Sequence, residues 1–455
     1  MKFLIPALAL ASCAVGPDYQ KPETVTPATY KAVGLSSPPP VGDWWSGFAD
    51  AKLANLLSQA ERANPESRAA LARLDQSRAI LGLSRSDLLP TLTGEALAQR
   101  QEDSQNGAFG GDFGPQGPYS NYRSALNLDY EIDLWGRVRR SISQQEALTQ
   151  AAAADYVSAL LSTKAEVARD YLTLRHLDSE ISLFSDTIKL REENEKLVES
   201  RVEAGATSSI DSARAKSLTE TARAELFRLK NRRDELENAI GVLVGQNPST
   251  FRLAAAAPPR IPSIPAGAPG DLLRRRPDVA ATERRLAAAA EEIGITIAKY
   301  LPRISLSGSG GFSAIQASDL FNKKSRLWNI GPSATFPIVT FGRSKKDREG
   351  AEAAYREALE NHRLSVLNAF REVENALSGI SNLDRALAAQ ERSTAASKEA
   401  ARLIELRYDT GLVSFFEVLD SQRELLTEER SLVQTRSARH LATVQLIQAL
   451  GGGWK

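Results

Sequence analysis

Residues that could carry out catalysis or bind a metal are scarce in this sequence. The 455 residues include only 3 His and 1 Cys, too few for a metal site or for a nucleophile with its base. No carboxylate pair, serine–histidine set or glycine-rich phosphate loop stands out either. His176, His362 and His440 all lie in charge-rich helical stretches, where packing roles are expected. The sequence therefore predicts a protein that is not an enzyme and needs no cofactor.

The single cysteine, Cys13, is suited to a different chemistry, which is acylation. Met1-Lys2 and the apolar run that follows are typical of a secretory signal. Leu10-Ala11-Ser12-Cys13 resembles a bacterial lipobox, and several acyl chains on one residue would anchor the chain durably. We expect residues 1–12 to be a lipoprotein signal peptide. Residues 13–50, rich in Pro, Thr and Ser, should form an acylated, extended segment.

Charge and composition exclude two further classes of protein. The formal net charge is +1 with 25% charged residues, which leaves no basic footprint for nucleic acid. No run of about 18 apolar residues occurs, so an α-helical membrane span is not expected. Ala, Leu, Glu and Arg dominate the long middle stretches, which is a helix-forming composition.

Four segments alternate apolar and polar residues with the period of a β-strand. From Tyr122 to Leu134 the even positions are apolar, aromatic or small, and the odd ones are polar except Ala125. One such segment fits an edge strand over a soluble core equally well. Four copies, at about 91–100, 120–134, 303–315 and 327–338, favour a membrane β-barrel. Four strands cannot close a barrel, which needs about 8, so several chains must share it.

The two halves of the chain repeat. Leu301-Pro302 matches Leu89-Pro90 at an offset of 212, and Gly411 matches Gly205 at an offset of 206. Residues 51–257 and 258–455 are therefore predicted to be two structural repeats. Each reads helix, strand, loop, strand, very long helix, turn and helix.

The long helices have the features of a coiled coil. Ser141 to Ala204 contains no Pro or Gly over 64 residues, which corresponds to ~96 Å of helix. The return helix carries an apolar seam with steps of three and four, interrupted by Arg233. We expect the two long helices to break at or near Asp178, Gly350, Gly379 and Asn382. Gly205 and Gly411 fit left-handed helix ends.

These features together resemble the TolC-like outer-membrane efflux family, and the lipobox resembles its lipoprotein branch of OprM or NodT type. The most specific segments are the lipobox, the doubled Leu-Pro strand entries, Asp133 to Arg137, Arg276-Pro277-Asp278 and Tyr408 to Gly411. The resemblance covers essentially the whole chain. It implies a mixed α and β fold: a long α-helical coiled-coil barrel plus a four-stranded contribution to a shared transmembrane β-barrel, with two internal structural repeats, in a trimer.

The resemblance also implies a function. A member of this family is the outer-membrane channel of a tripartite efflux pump, a passive trimeric conduit for small molecules such as drugs. Its partners are a periplasmic adaptor, an inner-membrane pump of RND type and outer-membrane lipid, and it extends into the periplasm. Two alternatives stay open: an outer-membrane channel for type I protein secretion, and a periplasmic adaptor lipoprotein. An adaptor would lack the four strands and the duplication.

The resemblance places a channel gate at the periplasmic tip, residues 201–214 and 407–423. Glu417 and Asp420 fall on positions that form acidic rings, which should attract cations. Asp211 falls on a position that helps to latch the closed tip, and Tyr408 falls on its aromatic partner. Val413 stands where some relatives carry an Arg in the latch, so a purely charge-based latch is not expected here.

Two further expectations concern the surface of the tip. Contacts to the adaptor are expected at Gly205, Gly411 and Leu412. Apolar packing by Leu412, Phe415 and Phe416 is expected to help close the tip in place of the missing arginine.

Overall fold

A computed structural model of the chain describes residues 14–23, 26–31, 44–102, 104, 117–265, 267, 269, 273 and 275–452. It divides into two compact units. The first comprises Met1–Pro22, Leu74–Ala152 and Thr282–His362, and the second comprises Glu23–Arg73, Ala153–Ala281 and Arg363–Lys455. Cys13 and the predicted signal peptide lie outside the described residues. No described helix is both long and apolar enough to cross a membrane.

The first unit contains one antiparallel sheet of four strands, in the order β1-β2-β3-β4. The strands are β1 (Thr91–Gln101), β2 (Tyr119–Ile132), β3 (Arg303–Ala314) and β4 (Arg326–Thr335). The strands of the two repeats meet at the β2–β3 pair, in the middle of the sheet. The outer strands, β1 and β4, each pair along one side only within the described part of the chain.

The register of the sheet places the apolar positions of all four strands on one face. Leu128 lies opposite Leu92 on one side and Gly308 on the other, and Gly308 lies opposite Ile330. The next polar row runs Thr93, Asn127, Ser309, Asn329 on the opposite face. Because a slip of one residue would exchange the faces, the alternation seen in the sequence excludes registers shifted by an odd number of residues.

Seven α-helices account for most of the described chain. They are α1 (Ala51–Ala63), α2 (Pro65–Ser86), α3 (Arg137–Glu203), α4 (Ser209–Leu243), α5 (Pro277–Ala298), α6 (Arg343–Asp409) and α7 (Phe415–Ala449). Helices α3 and α6 are both 67 residues long, and α4 and α7 are both 35 residues long. These equal lengths confirm the two predicted structural repeats.

The expected breaks in the long helices were wrong, because α3 and α6 are continuous. Asp178 does not end a helix: its carboxylate binds Arg175 at 2.8 Å and Arg233 at 2.7 Å. This pairing also explains why an arginine interrupts the apolar seam of α4. Gly350 and Gly379 each cost about 1 kcal/mol of helix propensity, and helices are stabilised mainly by packing rather than by propensity.

The second unit buries a pair of histidines beside its main hydrophobic core. His176 Nε2 lies 3.0 Å from His440 Nδ1, and His440 Nε2 lies 3.0 Å from the carbonyl oxygen of Pro259. If His440 donates to this carbonyl, its other nitrogen accepts from His176. Burial lowers the pKa of His176 to about 3, and burial also lowers the pKa of His440. Both rings are therefore neutral at physiological pH, in keeping with a packing role.

Candidate functional site

The turn between α3 and α4 ends the first helical hairpin at the tip. Gly205 has a φ of +70°, and the Ala206 amide donates to the Arg201 carbonyl at 2.8 Å. This is the Schellman helix ending, which favours glycine. Ser208 then caps α4, since its hydroxyl accepts from the Ile210 amide at 3.2 Å.

The turn between α6 and α7 repeats this geometry in the second hairpin. Gly411 has a φ of +74°, and the Leu412 amide donates to the Arg407 carbonyl at 2.9 Å. Leu412 is 69% exposed at the end of the turn. The left-handed conformation predicted for Gly205 and Gly411 is confirmed at both turns.

The first turns of α4 and α7 differ in how their acidic residue is held. In α4, the Thr207 hydroxyl donates to the Asp211 carboxylate at 2.8 Å. The equivalent residues at the start of the second return helix are Val413 and Glu417, and valine has no hydroxyl group that could donate a hydrogen bond. Glu417 is exposed. The start of α7 therefore lacks the side-chain bond that fixes the start of α4.

Apolar side chains from all four helix ends pack into one small core at the tip. The buried members are Val198, Ala215, Phe415, Val418 and Leu419. Tyr408 packs against this core, with its ring centroid 5.5 Å from that of Phe415. Phe415 thus faces inward, whereas Phe416 is 53% exposed like Leu412. Of the three apolar residues expected to close the tip, two are available at its surface.

Two arginine–aromatic contacts link the hairpins. The Arg201 guanidinium lies 4.9 Å from the Tyr408 ring centroid, and the Arg214 guanidinium lies 5.3 Å from that of Phe416. Sequence reasoning assigned no role to either arginine. No local pattern could have found these pairs, because the partners are about two hundred residues apart in the chain. Arg201 thus places a guanidinium beside Tyr408, the predicted aromatic partner in the latch.

The acidic residues predicted to form rings are both exposed. Asp420 follows Glu417 by one turn of α7, and it pairs with Arg423 of the same helix at 2.5 Å. The predicted latch pair is not joined by a hydrogen bond in the described part of the chain: Asp211 binds Thr207, and Tyr408 contacts Phe415 and Arg201. The tip is therefore an apolar and cation–π cluster with carboxylates outside it.

The polar face of the sheet is lined mainly by hydroxyl and amide side chains. A cavity of about 660 Å³ lies against it, lined by residues such as Thr93, Asn127 and Ser309. Among the described residues, no group of three or more His, Cys, Asp or Glu could hold a metal ion. This face is suited to passage of solutes in water.

The sheet and the hairpins together define a class of protein. A sheet with one largely apolar face, two outer strands that pair on one side only in the described part of the chain, and paired long helical hairpins is the protomer of an oligomeric channel inserted in an outer membrane. The chain belongs to the outer membrane efflux protein family, whose sequence profile matches residues 56–246 and 268–452.

Individual relatives are similar over nearly the whole chain. Outer membrane protein OprJ of Pseudomonas aeruginosa is 32% identical over 99% of this chain and 95% of its own length. The toluene efflux pump outer membrane protein TtgI of Pseudomonas putida is 30% identical over 100% of this chain and 99% of its own. The solved structure of the outer-membrane channel OprN superposes with a TM-score of 0.90 at 32% identity, over 97% of this chain and 100% of that one.

These similarities establish the function. The protein is the outer-membrane channel of a tripartite efflux pump, a passive trimeric conduit that extends from the outer membrane into the periplasm. The predicted family, fold class, function and location are thereby confirmed. The family consists of channel proteins rather than enzymes.

Proposed function

We propose that the tip is the gate of the channel and that its second hairpin is the part that moves. The observation that supports this proposal is the difference between the starts of α4 and α7. Thr207 holds Asp211 at the start of α4, whereas Val413 leaves Glu417 unheld at the start of α7. Without this bond, the start of α7 needs less free energy to shift than the start of α4.

In this proposal the closed state is held by the tip core and by the contact of Arg201 with Tyr408. Around the threefold axis of the trimer, each copy of Glu417 and Asp420 approaches its symmetry mates. Rings of carboxylates select for cations, and their mutual repulsion favours separation of the tips. The gate is thus a balance between apolar packing within each chain and like-charge repulsion between chains.

The remaining sites are proposed on the same basis. Gly205, Gly411 and the exposed Leu412 would contact the periplasmic adaptor, and an inner-membrane pump of RND type would supply energy and substrate. Small organic molecules are the proposed cargo, as the name of the toluene pump component TtgI suggests for that relative.

The proposed acylation of Cys13 is supported by the residues that follow it. The Val15 amide donates to the Trp135 carbonyl at 3.1 Å, which holds the start of the described chain where β2 gives way to α3. Acyl chains attached to Cys13 would then enter the membrane beside the sheet. The mass of the N-terminal peptide of membrane-extracted protein tests this assignment.

The gate is tested by planar-bilayer recording of trimers carrying Glu417→Ala with Asp420→Ala. Conductance should rise because the constriction loses side-chain volume, and preference for cations should fall because the ring charge is removed. The matched control is Glu199→Ala with Glu203→Ala, which removes two carboxylates from the first hairpin. Unchanged conductance and selectivity in the first variant, or equal changes in both, would reject the ring assignment.

A further inference from the structure

The strands of the two repeats correspond to each other residue by residue. An offset of 212 residues relates β1 to β3, and an offset of 206 relates β2 to β4. These offsets convert the pair Gly94–Leu126 of β1 and β2 into the pair Leu306–Pro332, which is observed between β3 and β4. Every other β3–β4 pair follows from a β1–β2 pair in the same way. The repeat therefore preserves the register of the sheet as well as the order of its strands.

Strand β4 ends earlier than β2, its counterpart in the first repeat. Strand β2 continues to Ile132, whereas β4 stops at Thr335, the equivalent of Asp129. The last three residues of β2 pair with β3 alone, because the β1–β2 ladder ends at Asp129. Their equivalents open the segment 336–341, which we call the β4 tail. To pair as their counterparts do, they need a strand on the side of β4 that faces away from β3.

The apolar side chains of the β4 tail are exposed. Phe336 is 53% exposed, Ile338 is 85% exposed and Phe341 is 98% exposed. Phe341 also has a φ of +48°, a conformation that few residues other than glycine adopt. Its counterpart Trp135 packs at the entry to β3, where the indole N–H donates to the Pro302 carbonyl at 2.7 Å. The β4 tail is thus the copy of a segment that is covered by its neighbouring strand in the first repeat.

The strand that would cover the β4 tail is β1 of another protomer. By the repeat, the counterpart of the β2–β3 pair is a β4–β1 pair. These two strands lie at opposite ends of the sheet, and four strands are too few to close a barrel. They can therefore meet only between protomers, and in hydrocarbon their backbone groups must be paired.

We propose that β4 pairs with β1 of the partner subunit in the register of the β2–β3 pair, and that the β4 tail completes this interface. The observed pair Ile132–Ile304 then has its counterpart in Ile338 opposite Leu92 of the partner subunit. Phe336 falls opposite Gly94 of the partner subunit, where the absence of a side chain leaves room for the ring.

The faces of the two sheets agree with this register, although the offsets alone determine it. Even-numbered residues of β4 fall opposite even-numbered residues of β1, and these are the apolar positions of both strands. One such pair is Ala334 with Ala96 of the partner subunit, the counterpart of Leu128–Gly308. The apolar face therefore continues from one protomer to the next without a break.

Disulfide trapping tests the register, because the chain has only 1 Cys of its own and directly opposite residues are close enough to be bridged. Ala334→Cys with Ala96→Cys should convert most of the protein into covalent trimers on boiled gels without reductant, and reductant should return monomers. The matched control is Ala334→Cys with Ala98→Cys, which lengthens the separation to roughly 7–8 Å and should leave monomers. Ile132→Cys with Ile304→Cys is the reference within one chain and should lose its added maleimide-reactive thiols while staying monomeric.

Four results would overturn the proposed register. Cross-linking at Ala98 instead of Ala96 would show a shift of two residues, and equal cross-linking at both would show that the register is not unique. A disulfide that forms with Ala96→Cys but leaves boiled monomers would show that β4 and β1 meet within one chain. No disulfide in either pair, while the reference oxidises, would show that these strands are not neighbours. If Ala334→Cys with Ala96→Cys gives no heat-resistant trimer under reducing conditions, Ile338→Cys with Leu92→Cys takes its place with the same expectation.

The contribution of the β4 tail is measured separately. Ile338→Asn should lower the temperature at which trimers dissociate on gels, because the proposed pairing buries this side chain against Leu92 of the partner subunit. The matched control is Ile315→Asn, which changes an isoleucine that is 61% exposed just beyond β3 and should leave that temperature unchanged. Equal shifts in the two variants would remove the β4 tail from the interface.

Discussion

The contact of Arg201 with Tyr408 gives the sharpest test of the proposed gate. The guanidinium lies 4.9 Å from the ring centroid, and Tyr408 is half-buried. Cation–π contacts contribute ~0.5–1 kcal/mol when exposed and about 2 kcal/mol when desolvated. Because the ring is half-buried, we expect this contact to contribute about 1 kcal/mol of free energy per protomer. Arg201→Gln removes the cation and leaves a polar side chain of similar reach.

The size of the effect depends on how the three tips of the trimer open. If each tip opens by itself, losing about 1 kcal/mol favours the open state about fivefold. If all three open together, the three losses add to about 3 kcal/mol, and the opening equilibrium shifts roughly 150-fold. The magnitude of the change thus reports whether opening is concerted.

Open probability in planar bilayers is the direct readout for Arg201→Gln. The matched control is Arg407→Gln, which removes the same charge from an exposed side chain next to Tyr408. We expect a higher open probability for Arg201→Gln and little change for Arg407→Gln. Equal shifts of open probability in the two variants would mean that net charge, not the contact with the ring, controls the tip. No shift in either variant would refute a role for the contact of Arg201 with Tyr408.

Two other predictions concern the sheet and the buried histidines. A Cβ on Gly311 would lie 2.2 Å from the Ser124 carbonyl oxygen, whereas a Cβ on Gly310 would meet nothing within 4 Å. Gly311→Ala should therefore abolish heat-resistant trimers on gels, and the control Gly310→Ala should keep them. Heat-resistant trimers from both variants would contradict this prediction. Burial lowers the pKa of His176 to about 3. Below pH ~6.5 the unfolded chain therefore takes up a proton that the folded chain excludes. The free energy of unfolding should fall by up to about 1.4 kcal/mol per pH unit from pH ~6.5 towards pH ~3. Denaturation midpoints measure this slope, and an unchanged slope in His176→Asn would assign it to other groups.

The features that sequence reasoning predicted are those with a local period. Alternation along Tyr122 to Leu134 predicted a strand with one apolar face, and the observed pairing keeps that face separate from the polar row. The helix ends at Gly205 and Gly411 were predictable because a left-handed residue ends a helix within one turn.

The features that it did not predict depend on contacts between distant residues. Asp178 read as a helix break because aspartate is a weak helix former, but Arg233, on another helix, holds its carboxylate inside a continuous helix. Sequence reasoning assigned no role to Arg201, because its aromatic partner belongs to the other repeat. The identities of the adaptor and the cargo are also not encoded locally, since both depend on surfaces of other proteins.

The duplication bears on our proposal that the second hairpin is the one that moves. Two equivalent copies would place identical restraints at both turns, and the trimer would then have six equal tips with no preferred point of opening. Replacing the hydroxyl of Thr207 by the methyl groups of Val413 removes one hydrogen bond, a net contribution of about 1 kcal/mol. In the same copy, the acidic residue thus freed, Glu417, is joined one turn later by a second carboxylate, Asp420. The loss of a hydrogen bond and the gain of a carboxylate therefore fall on the same helix start, as our proposal of a repulsion-driven gate requires.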